Sequence, residues 1–189
     1  MSENIDCVML AAGESMRMGR WKMMLPFDGT TLAERSVDNA LEVCERVILV
    51  TGYRASEIEE RFAGRDRVIT IRNGDYSRGM FSSIRTGVGE VRTAPYFIAL
   101  ADMPLVTPDI YRYLLTFRSN DAVIPKFHGK KGHPVLLSGN TRDFLLSLSP
   151  DDTLRTVIAE YPSLAVPVDE RGILTDIDTP EDYSSLSSR

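Results

Sequence analysis

The sequence predicts an α/β fold, a mostly parallel twisted sheet with helices on both faces in three layers. Three observations point there. Short apolar runs rich in Val and Ile alternate with segments whose apolar residues recur every three or four positions. The runs end at Gly, Asn or Asp, as buried strands do. The chain has 189 residues, enough for one domain (1–189) with a sizeable core, and shows neither linker nor internal repeat.

In order, the expected strands are "IDCVMLAA" from Ile5, "RVILVTG" from Arg46, "RVITIRN" from Arg67, "PYFIALAD" from Pro95 and "DAVIPKF" from Asp121. Between them "TLAERSVDNALEVC", "ASEIEERFAG", "MFSSIRTGVGEV" and "TPDIYRYLLTF" have helical spacing. Thr107 before Pro108 reads as an N-cap. "KKGHPVLLSG" reads as a further strand, antiparallel to its neighbour. "SPDDTLRTVIAEYP" reads as a helix, "SLAVPVD" as a late strand and "TPEDYSSLSSR" as a terminal helix. In such sheets ligands gather at the carboxyl ends of the strands, which places Gly13, Gly52, Asn73 and Asp102 along one edge.

Composition narrows the function. A net charge of −5 argues against a surface devoted to nucleic acid, which needs a broad basic field. No apolar run approaches a membrane span, and "MSENIDCVML" lacks the features of a signal peptide, so the expected location is cytoplasmic. Cys7 and Cys44 sit in apolar surroundings and read as buried free thiols. The methionines, Met9, Met23 and Met80 among them, read as core or pocket filling.

"LAAGESMRMGRWKMML" (Leu10–Leu25) follows the first strand and has the makings of a phosphate loop. It lacks the G-x-G-x-x-G of dinucleotide folds and the G-x-x-x-x-G-K-[ST] of P-loops. Small residues Ala11, Ala12 and Gly13 still allow close approach to the backbone, whose amides can form an anion nest. Arg17 and Lys22 can then meet a polyphosphate. Asp102, at a strand end, suits magnesium, which takes one or two carboxylates from a protein. Asn73 and Ser83 can discriminate a base edge by hydrogen bonds, although Asn73-Gly74 also makes a good tight turn. Arg72, Arg78 and Arg85 have charge for phosphates, but exposed arginines are more often solvated.

The "LAAGESMRMGRWK" segment resembles the L-A-[AG]-G-x-S-x-R-[MF]-G-x-x-K signature of nucleotidyltransferases that activate molybdopterin, sugar phosphates and methylerythritol phosphate. "GMFSSIRTG", "LADMP", "GHPVLL" and "DIDTPEDY" follow in the same order, covering nearly the whole chain. The set most resembles the molybdenum-cofactor cytidylyltransferase branch. That resemblance implies a Rossmann-like fold of the GT-A nucleotidyltransferase type. It implies magnesium held by Asp102 and Asp178, with Asp176 structural; the Thr179-Pro180 pair by itself also reads as a helix entry with Thr179 as N-cap. Catalysis would rest on Arg17, Lys22 and Asp102, and nucleotide binding on Leu10, Ala11, Ala12, Gly13, Arg17, Lys22, Asn73 and Ser83. His133 would border the acceptor pocket, with Lys126, Lys130 and Lys131 as nearby anion contacts. The "LAAG" form favours CTP over GTP. The implied acceptor is a molybdopterin-type phosphomonoester, and the resemblance allows a molybdoenzyme that receives the product. Alternatives are a relative using another nucleotide or a sugar or polyol phosphate, and a non-catalytic maturation chaperone.

Overall fold

The computed structural model describes residues 3–14 and 21–186. The first apolar run forms β1 (Glu3–Ala11). A two-strand ribbon, β2 (Pro26–Phe27) and β3 (Thr30–Thr31), turns through Asp28 and Gly29, both at positive φ, and leads into α1 (Leu32–Leu41). Then follow β4 (Cys44–Thr51), α2 (Ala55–Phe62), β5 (Val68–Arg72), α3 (Met80–Gly89) and β6 (Tyr96–Leu100). The second half comprises α4 (Pro108–Leu115), β7 (Ala122–Phe127), β8 (Lys130–Lys131), β9 (Val135–Leu137), α5 (Asn140–Ser147), α6 (Leu154–Glu160), β10 (Ser163–Pro167) and α7 (Pro180–Leu186).

Among the described residues the main sheet has eight strands in the order β10-β7-β9-β6-β1-β4-β5, with β8 on β7. β1 pairs in parallel with β4 on one side and β6 on the other, and β4–β5 and β7–β10 are also parallel. The chain therefore winds outward from β1 through β4 to β5, then returns across β1 to place β6. That reversal puts a crevice beyond the carboxyl ends of β1 and β6, where open α/β sheets bind ligands.

Period-two alternation decides the layers. Cys7 and Met9 of β1, with Val47 and Leu49 of β4, face Val37, Ile58, Phe62 and Leu114 of α1, α2 and α4. Val8, Leu10, Ile48 and Val50 face Ile84 and Val88 of α3 and Leu145 and Val157 of α5 and α6. A side chain at Gly87 would stand 2.3 Å from Val8 Cγ1, so glycine is what lets α3 lie so close to the sheet. Cys7 and Cys44 are buried free thiols, as expected.

The expected strand from Lys130 divides in two. Lys130 and Lys131 hairpin back onto β7 through His128 and Gly129, both at positive φ, while β9 runs antiparallel between β6 and β7. Helix α1 ends at Leu41, and Cys44 already belongs to β4. Thr107 stands at the N-cap of α4 with Pro108 behind it, but its hydroxyl donates to Glu170 at 3.0 Å instead of capping the helix. No helix among the described residues is long and apolar enough to cross a membrane.

Candidate functional site

A cavity of about 460 Å³ opens at the crevice beyond β1 and β6. Leu10, Ala12 and Gly13 form one wall, Tyr76, Gly79 and Ser83 another, and Lys22, Asp102 and Asp178 stand at its charged end. Among the described residues, nothing lies within 4 Å of where a Gly13 side chain would project. Gly79 has φ +114°, a conformation suited to glycine, and begins α3.

Lys22 is held by its neighbours in sequence. Trp21, Met23 and Leu25 are all buried around it, Leu25 N–H closes a turn on the Lys22 carbonyl at 2.9 Å, and Ala33 N–H donates to the Met23 carbonyl. Its side chain is only 6% exposed, and its ammonium lies 2.6 Å from Asp102 Oδ2 and 2.5 Å from Asp178 Oδ1. Burial alone would depress the Lys22 pKa, but the two carboxylates outweigh it and raise it above the ordinary lysine value. The cation is therefore fixed at neutral pH.

The two carboxylates meet through a backbone bond. Ala101 N–H donates to the Leu10 carbonyl at 3.0 Å, extending the β1–β6 ladder to the Asp102 turn. Ile177 N–H donates to the Asp102 carbonyl at 3.1 Å, and the Ile177 side chain is fully buried with Leu25 and Leu32. Asp178, next in sequence, is thereby set beside Asp102. Its own N–H donates to Asp182 Oδ2 at 3.2 Å, within the capping box that Thr179 and Asp182 build at the start of α7. Asp176 has its carboxyl pushed up, first by burial and then by the charges of Asp178 and Asp102.

This arrangement fits a magnesium ion. Asp102 Oδ1 is buried and has no hydrogen-bond partner among the described residues, a hard acceptor beside a second carboxylate. Two carboxylates are the protein complement that magnesium ordinarily takes, phosphates and water completing its shell.

Among the nucleotide-binding expectations, Leu10, Ala12, Gly13, Lys22 and Ser83 line the cavity. Ala11 and Asn73 are buried but do not line it. The Asn73 amide, expected to read the base edge, is spent on Ser82, Ser83 and the Asp75 backbone, so it stands behind the wall. Arg17 lies outside the described residues. Met80, expected as core or pocket filling, lines the cavity with Tyr76 and Ser77, which no motif singled out; the turn at Asn73-Gly74 and the "GMFSSIRTG" motif that follows are what mark the segment.

A second cavity of about 560 Å³ shares Gly79 and Met80 with the first. Phe81, Ile84 and Ile158 give it an apolar floor, and Arg78, Lys131 and Arg155 a cationic rim. His133 lines it, its Nδ1 buried and without a hydrogen-bond partner among the described residues. Burial pushes its imidazole below the usual histidine range, against the opposing pulls of the Ile98 carbonyl and Asp102. The shift favours the neutral form of His133 near pH 7. The arginines are largely structural: Arg72 pairs with Glu59, Arg78 with Asp151 at 2.7 Å, and Arg85 donates to the Leu146 carbonyl.

The MobA-like NTP transferase domain matches residues 7–165 of this chain. The molybdenum cofactor cytidylyltransferase of Escherichia coli (strain K12) is 38% identical over 185 residues, 98% of this chain and 96% of that protein. Among solved structures, Rv0371c from Mycobacterium tuberculosis H37Rv gives a TM-score of 0.84 at 25% identity, covering 99% of this chain and 100% of that one. A nucleotidyl transferase from Methanothermobacter thermautotroptrophicus shares the fold with a TM-score of 0.85 at 23% identity, covering 99% and 97%. With the domain matched over most of its length and a relative at this identity, the chain belongs to the MobA-like NTP transferase domain family.

Proposed function

We propose that this protein transfers the cytidylyl group of CTP to the phosphomonoester of a molybdopterin-type cofactor, with release of pyrophosphate. The observation that carries the reading is the buried Lys22 ammonium clamped between Asp102 and Asp178 at the mouth of a nucleotide-sized cavity. Likeness to a molybdenum cofactor cytidylyltransferase along nearly the whole chain supports the choice of nucleotide and acceptor.

The chemistry asks for positioning and charge neutralisation more than covalent catalysis. An acceptor phosphate oxygen bonds to the α-phosphorus of CTP as the bond to the bridging oxygen of pyrophosphate breaks. That nucleophile is already ionised near neutral pH and needs no strong base. The Ala12–Gly13 backbone and Arg17 would hold the triphosphate, and Lys22 would supply fixed positive charge as charge builds on the leaving group. Asp102 and Asp178 would hold magnesium, whose chemistry is to neutralise phosphate charge. The second cavity, with an apolar floor for a flat heterocycle, a cationic rim and His133, would receive the acceptor.

A screen of nucleoside triphosphates against candidate acceptors, read as pyrophosphate release in the presence of magnesium, tests the assignment. CTP with molybdopterin should be the productive pair. Release with a sugar or polyol phosphate instead would reassign the acceptor, and no release with any pair would overturn the enzyme reading.

A further inference from the structure

The turn between β4 and α2 packs behind the nucleotide cavity without lining it. A side chain at Gly52 would stand 2.8 Å from Ala12 Cβ and 2.7 Å from Tyr76 Cβ, so glycine lets the turn press against two cavity walls. Tyr53 N–H donates to the Ala12 carbonyl at 3.2 Å. Arg54 then adopts the left-handed region, φ 51° and ψ 37°, uncommon for a residue with a side chain. Its guanidinium lies over the Trp21 ring, 4.7 Å from the centroid. Glu57 accepts from Arg54 Nε and, at 2.7 Å, from Nη2, a fork that holds the planar group in one orientation. Trp21 is 8% exposed and directly precedes Lys22. Its Nε1 is buried without a hydrogen-bond partner among the described residues, so packing and the cation on its face are what hold the ring there.

We propose that Arg54 is a positioning residue: its guanidinium, braced by Glu57, fixes Trp21 and thereby sets the Lys22 ammonium between Asp102 and Asp178. This rests on the reading of the cavity as a nucleotidyl-transfer site, in which Lys22 meets the charge that builds on departing pyrophosphate. A lysine stem is flexible, so its ammonium serves a reacting phosphate only if the backbone and ring beside it are held in place. An exposed pair such as Arg54 and Glu57 adds little to stability, which leaves position as the property it controls. The backbone offers a way to separate the two. Arginine is strained in the left-handed region and glycine is not, so Arg54→Gly relieves the turn while removing the guanidinium.

The experiment compares the wild type, Arg54→Gly, Lys22→Met and the double variant. Pyrophosphate release with magnesium, CTP and molybdopterin gives kcat and KM, and acrylamide quenching reads Trp21, the chain's only tryptophan. Arg54→Gly should retain its melting temperature and quench more steeply. It should lose about tenfold in kcat with the KM for CTP within about twofold of wild type, as expected for a misplaced charge that acts on the transition state. In the Lys22→Met background the same substitution should change kcat by less than about twofold, because the charge it positions is gone. Losses that multiply across the two sites, or Arg54→Gly with wild-type kcat, would overturn the proposal. So would a loss of rate with Trp21 quenching unchanged.

Should Arg54→Gly fail to fold, Glu57→Ala removes the brace at an exposed site and leaves the turn intact. Its kcat should fall about threefold, with steeper Trp21 quenching, and wild-type values for both would refute the proposal. A wild type that releases no pyrophosphate with any nucleotide and acceptor refutes the transfer reading and the proposal with it. Wild-type turnover that Arg54→Gly matches refutes the proposal alone.

Discussion

The Ile177 N–H donates to the Asp102 carbonyl at 3.1 Å, and this one backbone bond joins the β6 end to the segment that carries Asp178. Two carboxylates distant in sequence thus face one lysine, at the point where the sheet reverses its strand order. The charged end of the cavity follows from the sheet topology together with this tie.

Lys22→Met keeps the apolar stem and removes the charge. It should lower kcat by roughly 100- to 1,000-fold, the usual loss for one preorganised charge at a reacting phosphate. Because Asp102 and Asp178 then repel each other unopposed, magnesium should raise the melting temperature of the variant more than that of the wild type. Thermal scans with and without magnesium check the second point; an equal rise in both proteins would contradict it.

The Thr179–Asp182 capping box should act on activity through Asp178. Asp182→Ala should cost about 1 kcal/mol of stability. It should also raise the magnesium concentration needed for half-maximal rate while leaving the rate at saturating magnesium close to wild type. Magnesium titrations of initial velocity measure this.

Glu34 should make stability depend on acidity. It closes the α1 capping box with Thr31 and accepts Arg61 at 2.8 Å. Burial works to raise its pKa, but hydrogen bonds from Arg61, Thr30 and Thr31 prevail and hold it at about 2, below the 4.5 of a free glutamate. Since the folded value is the lower one, the stabilisation is fully present above the unfolded pKa and is lost as pH falls from there through about 2. Glu34→Gln should therefore be less stable than wild type by roughly 2 kcal/mol near neutral pH, allowing for the exposed side of Arg61. The gap should close in acid. Urea unfolding at several pH values tests it.

Gly87→Ala should destabilise by roughly 1–3 kcal/mol through overpacking. Its new methyl would overlap Val8 Cγ1 and Val50 Cγ2, and both sit in buried strands that cannot yield. A chemical-denaturation midpoint lowered without a change in slope is the expected result.

Local pattern carried much of this protein into view. The Val- and Ile-rich runs gave the strands, and their alternation with helical segments gave a sheet covered on both faces; which of Cys7, Met9, Val8 and Leu10 meets which layer is shown by the structure. Thr179 was legible as a cap because capping is a short-range property. Long-range relations were not legible. Nothing near Lys22 in the sequence says that its ammonium lies between Asp102 and Asp178; that depends on the strand reversal and the Ile177 tie. Asn73 shows the same limit from the other side. Its residue type suits reading a base, but Ser82, Ser83 and Asp75 take its amide first. The division of the "KKGHPVLLSG" segment was hidden for a related reason, because only the positive φ of His128 and Gly129 folds Lys130 back onto β7.

The most direct test follows the nucleotide's α-phosphorus. CTP radiolabelled there is incubated with the protein, magnesium and molybdopterin, and the products are separated. The label should move into the pterin product in step with pyrophosphate release, and Asp102→Asn, folded as judged by circular dichroism, should abolish the transfer. Label remaining in CTP, or transfer undiminished by Asp102→Asn, would contradict cytidylyl transfer at the Lys22–Asp102–Asp178 site.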